Sequence, residues 1–273
     1  MITHRVTDLA LARRLERAEG SANVAFVESR ALHMPETGAV WRDVSGTYAM
    51  FDGVESPLTQ TFGLGLFAAP NVDDLGTLES FFVNRGASVH HEVSPLAAAE
   101  LLPMLSARGY QPVELTTVMH RPLERGRVPA GRATRATIRR IDADELTPWA
   151  DASAAGWGES PELSAFMRNF GLIMGSSRGV SCFAAEIDGV IAGTGAMAVH
   201  DGVALLAGAS TMPAYRGRGA QSALLGARLE FAAECGCDVA MMGAAPGSTS
   251  QTNAERQGFR IAYTRTKWYL ARG

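Results

Sequence analysis

The run Thr211-Met212-Pro213-Ala214-Tyr215-Arg216-Gly217-Arg218-Gly219-Ala220-Gln221-Ser222-Ala223-Leu224-Leu225 constrains this chain more than any other stretch. It joins the end of an apolar segment, Val203 to Ala209, to a helix-forming segment through alternating Arg and Gly. Gly217 and Gly219 admit backbone angles closed to other residues and let an anion approach the main-chain N–H groups. The helix that follows brings its own unpaired N–H groups and the positive end of its dipole to the same point. Arg216 and Arg218 add two permanent charges suited to phosphate oxygens. The stretch reads as a pyrophosphate cradle built from Arg216, Gly217, Arg218, Gly219, Ala220, Gln221 and Ser222.

Two other glycine loops fail on spacing. From Gly217 the run reads G-x-G-x-x-S, with Ser222 at the third glycine position and no βαβ unit to make it a dinucleotide fingerprint. No Gly-Lys-Ser/Thr follows, which excludes a P-loop. A solvated turn is the bland alternative.

The surroundings of the loop decide for the cradle. Met212-Pro213-x-x-Arg216-Gly217-x-Gly219 followed by Leu224-Leu225 resembles motif A of the GCN5-related N-acetyltransferases, the GNAT superfamily. Asn253-Ala254-Glu255-Arg256-Gln257-Gly258-Phe259 resembles that superfamily's next signature, a helix ending in Gly-Phe before the last strands. Upstream, Phe183 to Gly193 looks like its second and third strands joined by an Asp-Gly turn. The ordered set covers about 136 to 270. The resemblance implies an α/β fold, a mixed sheet flanked by helices, that binds acetyl-CoA and transfers its acetyl group to an amine. Ser210, Thr211 and Met212, at the splayed end of the fourth strand, then supply a backbone N–H to the thioester carbonyl.

Departures from the family pattern carry chemical weight. Gln221 stands where a last small residue is expected; its N–H serves the loop, but its side chain must point away from the ligand. Many members carry a tyrosine four residues before the Gly of Gly-Phe, as the acid for the leaving thiolate. Here that position is Ala254. Asn253 is the nearest polar residue on that helix and can donate a hydrogen bond to the cofactor without acting as an acid. Tyr263 and Tyr269 are expected to pack with their hydroxyls at the surface. The missing tyrosine keeps a second reading open, a CoA-binding module without turnover.

Composition narrows the class. With 47% hydrophobic and 19% charged residues the chain can bury cores and is not disordered. A net charge of −3 offers no basic excess for nucleic acid. No apolar run approaches a membrane span, and the opening residues lack the apolar core of a signal peptide, so a cytoplasmic protein is expected. Three cysteines (Cys182, Cys235, Cys237) are too few for a disulfide framework. Cys235-Gly-Cys237 has no matching pair, so no metal site is expected. The implied partner is a small-molecule amine, with no nucleic acid and no membrane, and the chain is expected as a monomer or homodimer.

At 273 residues the chain reads as two domains. The segment 124–135, with Gly, Pro and four Arg, reads as a linker between residues 1–123 and 136–273. An internal repeat supports the split. Ala107-Arg108-Gly109-Tyr110 aligns with Arg256-Gln257-Gly258-Phe259 at a spacing of 149 residues. At that spacing Val89–Val93 falls on Asp238–Met242, and Thr116–Met119 on Arg265–Trp268, all strand patterns. The expected fold is therefore two tandem GNAT-like domains, each a mostly antiparallel sheet flanked by helices. The first has lost the cradle. Gly63 to Ala68 formally fits G-x-G-x-x-A, but it is followed by Pro70 and by acidic residues, with Asn71 or Asp73 as a helix cap.

The chemistry asks for one more group, a base for the arriving ammonium. Glu159, Glu162, Glu186 and His200 are the candidates. Glu159 leads, because its loop, with Trp157 and two glycines, falls where family members line the acceptor groove. Neither Cys235 nor Cys237 stands where a covalent acyl carrier is expected, which favours direct transfer. Ser248 and Ser250 read as helix caps, although either could touch the cofactor.

Overall fold

The structure is a computed structural model and describes residues 7–124, 136–157 and 161–271. In chain order it runs α1 (Leu9–His33), β1 (Val40–Val44), β2 (Thr47–Phe51), β3 (Gln60–Phe62), α2 (Val72–Val83), β4 (Val89–Val93), α3 (Leu101–Ala107) and β5 (Gln111–Pro122). There follow β6 (Thr137–Arg140), α4 (Leu146–Ala155), α5 (Pro161–Gly175), β7 (Val180–Ile187), β8 (Val190–His200), β9 (Val203–Thr211), α6 (Ala220–Glu234), β10 (Val239–Ala244), α7 (Thr249–Arg256) and β11 (Arg260–Leu270). Two compact units result, Met1–His120 with Gly243–Gly273, and Arg121–Met242. Among the described residues no helix is long and apolar enough to cross a membrane.

The first unit holds strands in the order β1-β2-β3-β4-β11-β5. Only β3 and β4 pair in parallel; the other neighbours are antiparallel. Helix α1 starts at Asp8, whose carboxylate accepts from the Leu11 N–H at 2.8 Å. It runs for 25 residues to His33. Gly20 does not break it, because a Cβ there would meet the Tyr48 ring at 3.2 Å; the glycine is a packing notch. Helix α2 is capped by Asn71, one of the two expected caps. Its Leu75, Leu78, Phe81 and Phe82 bury against Val89, Leu101 and Tyr110.

A charged cluster lies inside this unit. Arg265 on β11 is 3% exposed and sits 2.7 Å from Glu19, 2.8 Å from Glu92 and 3.4 Å from Glu16. Burial pushes the Glu16 carboxyl up to about 7, against the pull of Arg265. The Tyr263 hydroxyl donates to Glu16 at 2.8 Å and is buried, which corrects the expectation of a surface hydroxyl. Tyr269 is half-exposed and packs on His90.

The second unit orders its strands β10-β9-β8-β7-β6. Strands β6 to β9 form an antiparallel meander, and β10 joins β9 in parallel. The two tight turns place Asp188-Gly189 and Asp201-Gly202 in the left-handed region, as hairpin connections of this kind require. Trp149 of α4 is fully buried and donates its indole N–H to the Phe183 carbonyl at 2.9 Å.

The boundary differs from the expected one. Motif order joins residues 243–273 to 136–242, yet they pack with the first unit. Strand β11 pairs with β4 over Thr266–Leu270 and with β5 over Arg260–Tyr269, and both partners precede residue 123. Sequence adjacency could not reveal this, because a strand takes whichever edge has matching register and burial. All but the first residue of the expected linker 124–135 lies outside the described residues. The 149-residue repeat has a local structural counterpart. Tyr110 N–H donates to Leu105 and Phe259 N–H to Ala254, each at 3.1 Å, and Gly109 and Gly258 share φ values of 85° and 82°. The helix ends close identically.

Candidate active site

The cradle forms where β9 passes into α6. A single 3-10 turn, Pro213–Tyr215, leads to Gly217 with φ 76° and to Gly219 with φ 84°, the residue that caps α6. No side chain caps this helix, unlike α1, α2 and α7, which use Asp8, Asn71 and Ser248. The first helical hydrogen bond is Ala223 N–H to the Gly219 carbonyl at 3.1 Å. The N–H groups from Gly217 to Ser222 precede it and have no acceptor among the described residues. Two left-handed glycines turn consecutive N–H groups to one side, which makes a concave site of positive potential. A Cβ at Gly217 would meet nothing within 4 Å, so the approach is open.

The side chains around the loop hold its shape. Gln221 turns back into the protein and donates to the Ser210 carbonyl and to Thr211 Oγ1, both at 2.7 Å. That is the outcome its position demanded, and it fastens the end of β9 to the start of α6. Ser210 is buried and its hydroxyl donates to the Ser153 carbonyl at 2.8 Å, tying β9 to α4. Gly156, just beyond α4, is a residue that motif reading missed. A Cβ there would fall 1.8 Å from Ser210 Oγ and 3.1 Å from the Thr211 nitrogen, so only glycine fits. Arg216 donates to the Gly156 carbonyl at 2.9 Å and is otherwise exposed. Arg218 lies over the Tyr215 ring at 5.1 Å. Both arginines are exposed.

Strands β9 and β10 part beside it. Their parallel pairing runs only from Val203–Val239 to Leu205–Met241, while β9 continues to Thr211. The splay expected at Ser210 to Met212 is present. Of those three, Met212 is excluded as the carbonyl-polarising donor, because its N–H already donates to Ala192 at 2.9 Å. Ser210 stands two residues before Met212 in the same antiparallel ladder, so its N–H also faces β8, and Thr211 is left for that role.

The first unit's counterpart loop is closed by its own side chains. A Cβ at Gly63 would meet the Phe67 ring at 2.8 Å, and one at Gly65 would meet Leu101 at 3.0 Å. Leu64 and Leu66 are buried, and Arg13 of α1 donates to the Leu66 carbonyl at 2.8 Å. Space that is open at Gly217 is filled here. One CoA per chain is therefore expected in equilibrium binding, with ligand protection from hydrogen exchange centred on residues 209–222. Two equivalents, or protection at Gly63–Ala68, would count against this contrast.

The remaining candidates fall out as follows. Glu159 lies outside the described residues. Glu162 is exposed on the first turn of α5. Glu186 is engaged by Arg139, which donates to it at 2.9 Å and also grips Glu145. His200 ends β8 beside the turn at Asp201. Asn253 and the fully buried Ala254 lie on α7, in the first unit rather than with the loop. Ser248 caps that helix by accepting from the Gln251 N–H. Burial pushes the Cys182 thiol up to about 12 and the Cys237 thiol up to about 11, which makes both poor nucleophiles. Cys235 and Cys237 follow the far end of 15-residue α6, about 22 Å from the loop at 1.5 Å per residue. Among the described residues no group of three His, Cys, Asp or Glu side chains could hold a metal ion.

Known proteins resemble this chain in one sequence segment and in fold. Residues 143–259 match the model of the acetyltransferase (GNAT) family. No curated protein sequence matches the chain. Among solved structures, a GCN5-related N-acetyltransferase from Kribbella flavida superposes with a TM-score of 0.66 at 19% identity, covering 96% of each chain. A GCN5-related N-acetyltransferase from Sphaerobacter thermophilus gives 0.56 at 18% identity over 72% of this chain and 66% of its own. A tandem GNAT protein from the clavulanic acid biosynthesis pathway gives 0.57 at 15% identity, covering 74% and 69%. At these identities the structures speak for the fold, and the matched segment speaks for the family. The uncapped glycine loop lies inside residues 143–259, the segment that matches the GNAT acetyltransferase family.

Proposed function

We propose that this protein is an N-acetyltransferase that moves an acetyl group from acetyl-CoA directly to the amine of a small molecule. The observation that carries the reading is the run of unpartnered N–H groups from Gly217 to Ser222 at an open, uncapped helix start. Pyrophosphate oxygens supply the acceptors that this run lacks, and Arg216 and Arg218 neutralise their charge.

The reaction forms a C–N bond between the amine nitrogen and the acetyl carbon and breaks the C–S bond to coenzyme A. Charge builds on the carbonyl oxygen as the carbon becomes tetrahedral, and the Thr211 N–H stabilises it. The ammonium must lose a proton before attack, and Glu159 is the proposed base. The sulfur leaves as thiolate. A thiol of pKa about 8.5 tolerates departure near neutrality without a dedicated acid, which suits Ala254 at the position of the family's tyrosine.

The test is release of free CoA from acetyl-CoA with a panel of small amines. Amine-dependent release supports transfer, and its loss by about 100-fold in Glu159→Gln, with acetyl-CoA affinity intact, supports the base. The second reading, a CoA-binding module without turnover, draws on Ala254 and predicts tight binding with no amine-dependent release.

The first unit is proposed to be a degenerate copy of the same fold that shapes the protein without binding cofactor. The filled space at Gly63 and Gly65 supports this.

A further inference from the structure

Arg228 lies on the face of α6 that packs on the second unit's sheet, and it is 3% exposed. No carboxylate pairs with it among the described residues. Its Nη1 donates to the carbonyls of Ala196 at 3.0 Å and Ala207 at 3.1 Å, and its Nε donates to Leu224 on its own helix at 3.2 Å. Burial pulls its pKa down to about 10, so it remains charged at neutral pH. A buried cation held by carbonyls alone is an expensive way to fill a core, and an apolar side chain of the same length would pack there at lower cost. Its carbonyl partners indicate a role beyond packing.

Those partners flank a break in the sheet. Ala196 and Ala207 form the last regular pair of β8 with β9; the next pair is Thr194 with Ser210. Gly208 and Ala209 therefore stand opposite Gly195 alone, a bulge, and Gly208 takes φ 59°. Gly195 is what admits the guanidinium, since a Cβ there would come 2.8 Å from Arg228 Cζ. The bulge begins three residues beyond Leu205, the last β9 residue paired with β10.

We infer that Arg228 is a positioning residue that clamps the carbonyls at the base of this bulge, so that β9 turns away from β10 and presents the Thr211 N–H at the set position for acyl transfer. The inference deepens the proposed transferase reading and rests on it. Without the clamp the ladder can slip back toward regular pairing, which moves the Thr211 N–H but leaves the glycine loop after it.

The test compares wild type, Arg228→Met and Arg228→Lys by amide hydrogen exchange, acetyl-CoA affinity and kcat. Met fills the space without a donor; Lys restores one donor. In Arg228→Met, exchange of Gly208 to Thr211 is expected to rise about tenfold with residues 180–187 unchanged. The kcat is expected to fall about 10- to 100-fold while acetyl-CoA affinity stays within about threefold. Arg228→Lys is expected to lie between Met and wild type in both. A folded Met variant with wild-type exchange at Gly208–Thr211, or with wild-type kcat, overturns the inference. If the Met variant does not fold, the Lys variant is judged by the same two readouts, and failure of both to fold assigns Arg228 to folding alone and overturns positioning. Should wild type turn over no amine, the transferase reading fails by itself, and the exchange data still decide whether Arg228 sets the bulge.

Discussion

Gly219→Val is expected to weaken acetyl-CoA binding by at least about 100-fold, close to 2.7 kcal/mol, while the chain stays folded. Gly219 holds φ 84° at the start of α6. A β-branched residue in that region is strained by roughly 1 to 3 kcal/mol, and the loop escapes by abandoning the angle that aims its N–H groups. Any side chain that keeps the angle stands where the anion must approach. The loop is exposed and makes little of the core, so the thermal midpoint is expected to fall by only about 2 to 4 °C per kcal/mol of strain. Calorimetric titration with acetyl-CoA, alongside a melting curve, checks both statements. Wild-type affinity in this variant would show that the loop is not the site.

Arg265→Leu is expected to destabilise the first unit by about 3 to 5 kcal/mol, the largest stability effect of any single change considered. It leaves the Glu16 carboxyl in the interior without a cation within reach and Glu92 with Lys267 alone, at 3.4 Å, and both carboxyls are 3% exposed or less. Denaturant unfolding followed by tryptophan fluorescence measures this; a midpoint within error of wild type would mean the cluster is not an interdependent network. The same cluster sets a pH dependence. Glu16 binds its proton more tightly folded, at about 7, than unfolded, near 4.5. Its contribution to stability is therefore fully present below pH 4.5, is lost as pH rises toward 7, and costs about 3 kcal/mol above that. Buried His91, held down at about 3 from 6.5, works in the opposite sense: its neutral form is retained in the fold, so stability falls as pH drops from 6.5 toward 3. The two overlap between pH 4.5 and 6.5, and Glu16→Gln separates them. Gln mimics the protonated carboxyl, so this variant is expected to lose less stability than wild type between pH 5 and pH 8.

The meander of β7, β8 and β9 was legible because its strands are short apolar runs, buried over four or more consecutive residues, and its turns are Asp-Gly pairs, which favour one turn type strongly. Helix α6 and its loop were legible for a related reason. Glycine alternating with arginine ahead of an apolar helix has few other physical uses, and Gln221 could be predicted to turn inward because a side chain at that point would otherwise fill the anion site. Helix α1 runs through Gly20, and only the tertiary structure shows why a glycine stands there: the Tyr48 ring lies against it, where a Cβ would come to 3.2 Å.

The sequence by itself determined the local devices: the glycine loop, its arginines, the missing tyrosine at Ala254, and two helix ends 149 residues apart that close on the same hydrogen bonds. Each depends on neighbours within a few residues, where backbone preference and side-chain chemistry act directly. The tertiary structure alone decided the rest. Strand β11 belongs between β4 and β5 because its register matches theirs, Gly156 must be glycine because Ser210 lies against it, and Arg228 is clamped to carbonyls of two strands. These contacts join residues tens to hundreds of positions apart, and burial, not local propensity, selects which of many possible pairings is made.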